Sequence, residues 1–268
     1  QSLIKPALRS LKLFALGLFL ALFFYNFRDP NFNWLQERLF DIRIMGVLQR
    51  IAIVYFLTYL IVAYCRGLTQ GFIAVSLILV YVIGVYFLPY ADANGLPYQG
   101  NLALGFTFID YLDTYVIGRD HLYQGSLQPF ASDPEGLFST IPAIVSCLSG
   151  AWLAMWMHKR ELNLSYCVKL IAAGAILAIA STHLDSLIPI NKPMWTPSYV
   201  LLSSGLAIAS VGCLSYLLDL KKWRLWSAPF VVFGVNSIAF FMFAGVFARL
   251  LLMASVGDVS LKQWFYDN

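Results

Sequence analysis

An all-α bundle that crosses a membrane many times is the fold class this sequence predicts. Three observations carry it. Of 268 residues, 60% are hydrophobic and only 12% are charged, and the mean hydropathy is +0.72, a balance foreign to soluble domains of this size. The apolar residues form continuous runs rather than alternating with polar ones, which argues for helices and against a barrel. In hydrocarbon those are the two architectures that satisfy the backbone.

Seven spans of roughly 20 residues are expected, near 11–25, 47–65, 71–89, 137–157, 164–181, 198–218 and 229–254. The first and fifth are short. Residues 1–268 read as one membrane-embedded domain, with 90–136 as a large loop on one side. The chain begins with Gln1 and ends at Asn268 without a terminal signature, so it reads as an internal piece of a longer protein. The first apolar run is followed by no small-residue cleavage site and reads as a helix rather than a signal peptide.

Basic residues set the orientation. Lys5, Arg9, Lys12, Arg66, Lys159, Arg160, Lys221, Lys222 and Arg224 lie in short segments on one side, which is therefore expected to be cytoplasmic. All 14 acids except Glu161 and Asp219, with Asp258 and Asp267 included, fall on the other side. The chain would start inside and end outside. The net charge of +4 comes mostly from the cytoplasmic anchors and implies no nucleic-acid partner. Cys65, Cys147, Cys167 and Cys213 sit in or beside apolar runs with no CxxC pair, so neither a disulfide frame nor a metal site is expected.

The richest stretch is DPEGLFSTIPAIVSCLSG, residues 133–150. Asp133 reads as an N-cap, Pro134 as the first helical residue and Glu135 as a first-turn acid. Ser139, Pro142, Ser146 and Ser149 then fall at three- and four-residue spacing on one helix face. One reading is a close helix–helix packing face. The other is a carboxylate pair at the membrane surface above a polar-lined pocket.

Four further stretches carry polar chemistry. In RIMGVLQR, residues 43–50, Arg43 would lie at the surface, with Gln49 and Arg50 one to two turns into a helix. Arg50 would either snorkel outward or join Gln49 in the bundle interior as a ligand for an anion or a sugar hydroxyl. IDYLDTYVIGRDHLYQ, residues 109–124, suggests a short amphipathic helix on the membrane surface, with Tyr111 and Tyr115 at headgroup level. His121 there is either a solvated or capping histidine or a general base. PINKPMWTPSY, residues 189–199, holds Lys192 and Trp195 in a stiff loop, with Thr196 and Pro197 opening the next helix. It reads as a rigid interfacial turn or as a platform on which a sugar stacks. GVNS, residues 234–237, places Asn236 inside the seventh span, as interhelical glue or as a cofactor contact.

Taken together, RIMGVLQRIAIVYF at 43–56, GRDHLYQ at 118–124, DPEGLFSTIPAIVSCLSG at 133–150, PINKPMWTPSYVLLSSG at 189–205 and GVNSIAFF at 234–241 resemble the heparan-α-glucosaminide N-acetyltransferase family, in order and spacing. The resemblance implies acetyl transfer across the membrane, from cytoplasmic acetyl-CoA to the amine of a glucosamine-type sugar. It implies catalytic roles for Asp133 and Glu135, with His121 weaker because the family's catalytic histidine lies upstream of residue 1. Substrate contacts would come from Arg43, Gln49, Arg50, Asn191, Lys192, Trp195, Ser198 and Tyr199, and cofactor contacts from Asn236 and Ser237. With the family's upstream helices and last spans absent, this piece alone is expected to be inactive. An amino sugar or glycan and membrane lipid are the expected partners, and a homo-oligomer is allowed. The one glycosylation pattern, Asn163-Leu164-Ser165, falls on the cytoplasmic side, and the loops are short, which favours a bacterial-type relative in an inner membrane. A sugar transporter or permease is the competing reading, and it predicts broken helices and related halves.

Overall fold

The computed structural model describes residues 3–257 and 259–267. Gln1, Asp258 and Asn268, used above in reading the ends and the charge balance, lie outside the described residues. The chain is helical almost throughout: α1 (Ile4–Leu22), α2 (Val47–Tyr64), α3 (Gly67–Phe87), α4 (Phe108–Val116), α5 (Leu137–His158), α6 (Leu164–Leu184), α7 (Pro197–Leu214), α8 (Ala228–Val235), α9 (Ser237–Met253) and α10 (Leu261–Asp267). Two small antiparallel pairs complete it, Tyr90–Ala91 with Pro97–Tyr98 and Ser255–Val256 with Val259–Ser260.

Among the described residues, five helices are long and apolar enough to cross a membrane: α2, α3, α5, α6, and α7 with its continuation to Leu220. Against the seven expected, that makes five, or six if α8 and α9 are one broken span. The physical reasons differ. α1 carries Lys5, Arg9 and Lys12 in its first half and is not among the five. The seventh expected span is not straight: the chain breaks at Asn236 and the two helices meet at 72°. α6, expected to be short, runs its full 21 residues.

Three helices form the centre. Val54 of α2, Ala74 of α3, and Ala143, Ile144 and Leu148 of α5 make one buried cluster. α1 lies along α2 through Leu13, Leu20, Leu48 and Ala52, and Ser10 donates to the Ala52 carbonyl at 2.6 Å. α6 and α7 approach most closely. A Cβ on Gly205 would come within 2.7 Å of the Gly174 carbonyl, and one on Gly212 within 2.9 Å of Leu170 Cβ. Small residues let two backbones touch, which is how helices associate where no hydrophobic force separates them from lipid.

The 90–136 segment folds over one end of this bundle as a structured cap. Tyr90, Phe108 and Phe130 form its core. The expected amphipathic helix is α4: Phe108, Ile109, Asp110 and Asp113 are buried against the bundle, while Tyr115 and Val116 on its other face are exposed. Its start is a capping box: the Thr107 side chain accepts from the Asp110 N–H, and the Asp110 carboxylate accepts from the Thr107 N–H.

The start of α5 corrects the sequence reading. Asp133 is not its N-cap, nor is Pro134 its first residue. Asp133–Gly136 forms a turn, closed by Gly136 N–H donating to the Asp133 carbonyl at 3.1 Å, and the helix begins at Leu137. Glu135 therefore precedes the first turn rather than sitting in it. The cap comes from α4, where Asp113 Oδ1 accepts from the Leu137 N–H at 3.0 Å. Asp113 is fully buried and its Oδ2 has no hydrogen-bond partner among the described residues. Gly136 makes room for it, since a Cβ there would collide with Oδ2. Burial pushes the Asp113 carboxyl up to about 7.

Two outcomes follow from this packing. Gly205→Ala should destabilise the α6–α7 pair by about 1–3 kcal/mol, because backbone rather than a flexible side chain must move; a thermal unfolding midpoint equal to wild type would contradict the close contact. Asp113 gives a pH dependence whose sign is fixed. Its folded value lies above its ordinary 3.8, so the native state holds a proton that the unfolded chain has released, and this stability is present below pH 3.8 and lost as pH rises towards about 7. Asp113→Asn keeps the acceptor for Leu137 and cannot ionise. Its unfolding midpoint in detergent should fall less steeply with pH across that window, and an unaltered slope would refute the assignment.

Candidate functional site

At the capped end of the bundle, the chain places Arg43 against two carboxylates, with Arg50 on the turn that carries them. Arg43 stands just before α2, in a segment held by the loop that carries His121. His121 Nδ1 bonds the Ile42 carbonyl at 2.8 Å, and the Ile44 N–H donates to the His121 carbonyl at 3.3 Å. A ring nitrogen facing a carbonyl must carry its proton, so His121 positions this segment through Nδ1–H. It fits the capping alternative.

The pair itself is bidentate. Arg43 Nε donates to Asp133 Oδ2 at 2.8 Å, and its terminal nitrogen donates to Asp133 Oδ1 at 2.6 Å and to Glu135 Oε2 at 2.5 Å. Asp133 also accepts from the backbone N–H groups of Tyr123 at 3.0 Å and Glu135 at 2.9 Å. Each of its oxygens therefore receives two hydrogen bonds. The Asp133 side chain is wholly buried, whereas that of Glu135 is 23% exposed. Burial works against the Arg43 charge, but Asp133 and Glu135 outweigh it and hold the guanidinium above its ordinary value. The Tyr123 ring covers the guanidinium at 4.7 Å.

Arg50 lies one turn into α2. It is buried and does not snorkel. It donates to the Pro134 carbonyl at 2.5 Å and to the Ser139 hydroxyl, and it packs against the Trp195 ring at 5.1 Å. The polar stripe on α5 makes contacts between elements, as its packing reading expects. Ser139 meets Arg50, Ser146 accepts from Trp195 Nε1 at 3.1 Å, and Ser149 pairs with Ser204 of α7 at 3.0 Å.

The 189–196 loop arrives at this cluster under constraint. Trp195 adopts φ +56°, a left-handed conformation that costs free energy outside glycine. It is held by Ser146, by Arg50 and by Tyr199, whose ring meets it edge-on at 5.1 Å. Asn191 Oδ1 accepts from the Met194 N–H at 3.0 Å, and Tyr81 of α3 donates to the Met194 carbonyl at 2.8 Å. Ser198 is fully buried and donates to the Pro189 carbonyl at 3.0 Å, a tie that closes the loop onto α7. Thr196 precedes the helix as its cap residue but makes no side-chain cap bond, and Pro197 is the first residue as expected. Lys192 is exposed.

Two cavities flank the ion cluster. One, of about 220 Å³, is lined by Asp110, Asp133, Pro134, Asn191 and Met194 among others. The other, of about 540 Å³, lies between α1, the start of α2 and α9, and includes Arg43, Gln49 and Tyr123. Gln49 is buried there.

The fold thus gathers Asp133, Glu135, Arg43, Arg50 and Trp195 at one cluster, with Asn191 and Gln49 on the adjoining cavities. It does not bring Asn236 and Ser237 to it. Asn236 sits at the break between α8 and α9, exposed, with its amide donating to the Val232 carbonyl at 3.0 Å. Neither residue lines the two cavities. Sequence reasoning missed Tyr123 and Asp113. For Asp113 the local signal was its i, i+3 spacing from the capping-box Asp110; for Tyr123 there was none, because its role is long-range. Among the described residues no group of three or more His, Cys, Asp or Glu could hold a metal ion.

No protein-family model matches the chain. Two curated proteins are similar to it. Heparan-alpha-glucosaminide N-acetyltransferase of Homo sapiens is 30% identical over 151 residues, covering 51% of this chain and 22% of the relative. The Mus musculus protein of the same name is 31% identical over 142 residues, covering 48% and 21%. The chain spans about a fifth of the length of these relatives. It is an integral membrane protein with a partial likeness, over about half its own length, to proteins named as N-acetyltransferases.

Proposed function

We propose that this chain forms part of a transmembrane acetyltransferase that moves acetyl from cytoplasmic acetyl-CoA to the amine of a glucosamine-type sugar on the other side. The supporting observation is the pair of carboxylates on Arg43, carried by the turn at 133–136, in a chain with a partial likeness to proteins named as N-acetyltransferases. The sugar would enter from the extracytoplasmic end, which the basic-residue bias assigns to the cluster. That membrane would be a bacterial inner membrane.

The geometry divides the two carboxylates. Asp133 is buried with all its acceptor positions filled, so it fixes Arg43 and the DPEG turn. Glu135 is partly exposed and shares only one arm of Arg43. An ammonium has no lone pair with which to attack a carbonyl, so a base must first take its proton. Glu135 would be that base. Trp195 would pack against a face of the sugar, while Asn191 and Lys192 at the loop and Arg43, Gln49 and Arg50 around the cluster would bind its polar groups. Acetyl-CoA is the donor substrate; Asn236 and Ser237, exposed at the α8–α9 break, would meet it only from outside the described cavities.

One observation favours the second reading, a solute transporter. The 72° break at Asn236 is the interrupted helix that such proteins use. Flux of a labelled amino sugar into vesicles without acetylation would select it.

The test uses the intact protein in nanodiscs with radiolabelled acetyl-CoA and a panel of glucosamine acceptors. Glu135→Gln should lose roughly a hundredfold or more of transfer, the usual contribution of a general base, with an unfolding midpoint close to wild type. Normal turnover in that variant would remove Glu135 from the reaction.

A further inference from the structure

The larger cavity holds more positive charge than the ion cluster uses. Three arginines line it: Arg38 from the helical turn at Leu35–Phe40, Arg43, and Arg249 from α9. Among the described residues, Asp41 is the one carboxylate on its wall. Arg43 is committed to Asp133 and Glu135. Arg38 and Arg249 make no salt bridge among the described residues. Arg249 donates to Gly245 of its own helix at 2.9 Å. Arg38 stacks on the Phe24 ring at 4.3 Å and keeps a buried Nε with no hydrogen-bond partner.

A third group points the same way. Gln49 is only 3% exposed, lines this cavity, and makes no side-chain hydrogen bond among the described residues. The chain clears space for it: a Cβ on Gly17 would collide with its Oε1, and one on Gly46 would lie 2.9 Å away. The Gln49 amide is therefore available to a ligand in the cavity, as both donor and acceptor.

We infer that this cavity is an oxyanion site in which Arg38 and Arg249 hold a carboxylate, sulfate or phosphate ester and the Gln49 amide completes the ring of donors. Guanidinium forks match paired oxygens of this kind. A cavity of about 540 Å³ admits a ligand of sugar size. Arg43 joins the site to the Asp133–Glu135 pair, so a bound anion sits next to the carboxylates. Two sources carry this chemistry: an acidic substituent on the acceptor sugar, and the phosphate of a lipid headgroup entering between α1 and α9. The first source rests on the acetyl-transfer reading; the site itself does not.

The experiment reads binding, so it stands apart from the acetylation assay. The intact protein is placed in neutral phosphatidylcholine nanodiscs, and its unfolding midpoint is followed against glucosamine 6-sulfate and against glucosamine at matched ionic strength. A ligand that binds only the native state raises the midpoint with concentration. The sulfated sugar should raise it and glucosamine should do so far less. Arg38→Gln and Arg249→Gln should each weaken the apparent affinity about tenfold or more, the loss expected for a charged hydrogen bond. Arg249→Lys keeps the charge and should retain part of the response, and Arg66→Gln at the opposite end should retain all of it. A second arm titrates phosphatidylglycerol into the discs. A rise seen only there, and lost in the same arginine variants, assigns the site to a lipid phosphate. Responses in both arms that ignore Arg38 and Arg249 would overturn the oxyanion site.

Discussion

A carboxylate with no access to water must be given its counter-charge by the fold, and Asp133 is in that position. Ionising a wholly buried acid at the edge of a membrane is costly unless a cation and further donors surround it. Arg43 supplies two bonds, and the backbone of Tyr123 and Glu135 supplies two more. Those donors come from three separate stretches of chain. The pair cannot form until the segment before α2, the loop after α4 and the turn before α5 have all arrived. The remaining architecture at this end can be read as the means of delivering them: His121 fixes the backbone around Arg43, Asp113 fixes the start of α5, and Gly136 lets the two approach.

The same end shows three aspartates doing three different tasks. Asp110 closes the start of its own helix, Asp113 caps a helix 24 residues further on, and Asp133 holds an arginine. Each accepts backbone N–H groups, which tie loops that would otherwise be free. Trp195 adds a cost in the opposite direction, a left-handed backbone at a bulky residue. Contacts to Ser146, Arg50 and Tyr199 offset it. A strained aromatic fixed against a buried arginine belongs to a preorganised site more readily than to a simple membrane anchor.

What could be read from the sequence divides along the range of the interactions. α2, α3, α5, α6 and α7 were legible because a run of apolar residues is a local property, and the stripe Ser139–Ser146–Ser149 was legible because helical spacing is too. The cluster residues Arg43, Arg50, Asp133 and Glu135 stood out as charges in apolar surroundings. The cap of α5 was misread because Asp133, Pro134 and Glu135 make a correct local signature, and the aspartate that wins is on another helix. The break at Asn236 was not read for the converse reason: Asn236 and Ser237 stand inside a long apolar stretch, and composition does not distinguish one bent span from one straight span. Arg38 and Arg249 lie far apart in sequence, so no motif could join them.

The unequal burial of the two carboxylates limits the chemistry open to this site. Both contact the same arginine, but a group with four hydrogen bonds and no exposure can neither meet an incoming amine nor give up a bond without losing the turn that carries it. Glu135 has one bond to Arg43 and a face towards solvent. An ammonium approaching it competes with only that bond, and Arg43 remains anchored by Asp133 while Glu135 moves. On the acetyl-transfer reading, Asp133 makes the mobility of Glu135 tolerable. The cation stays fixed when one of its partners leaves, so proton transfer at Glu135 need not disturb the ends of α2 and α5.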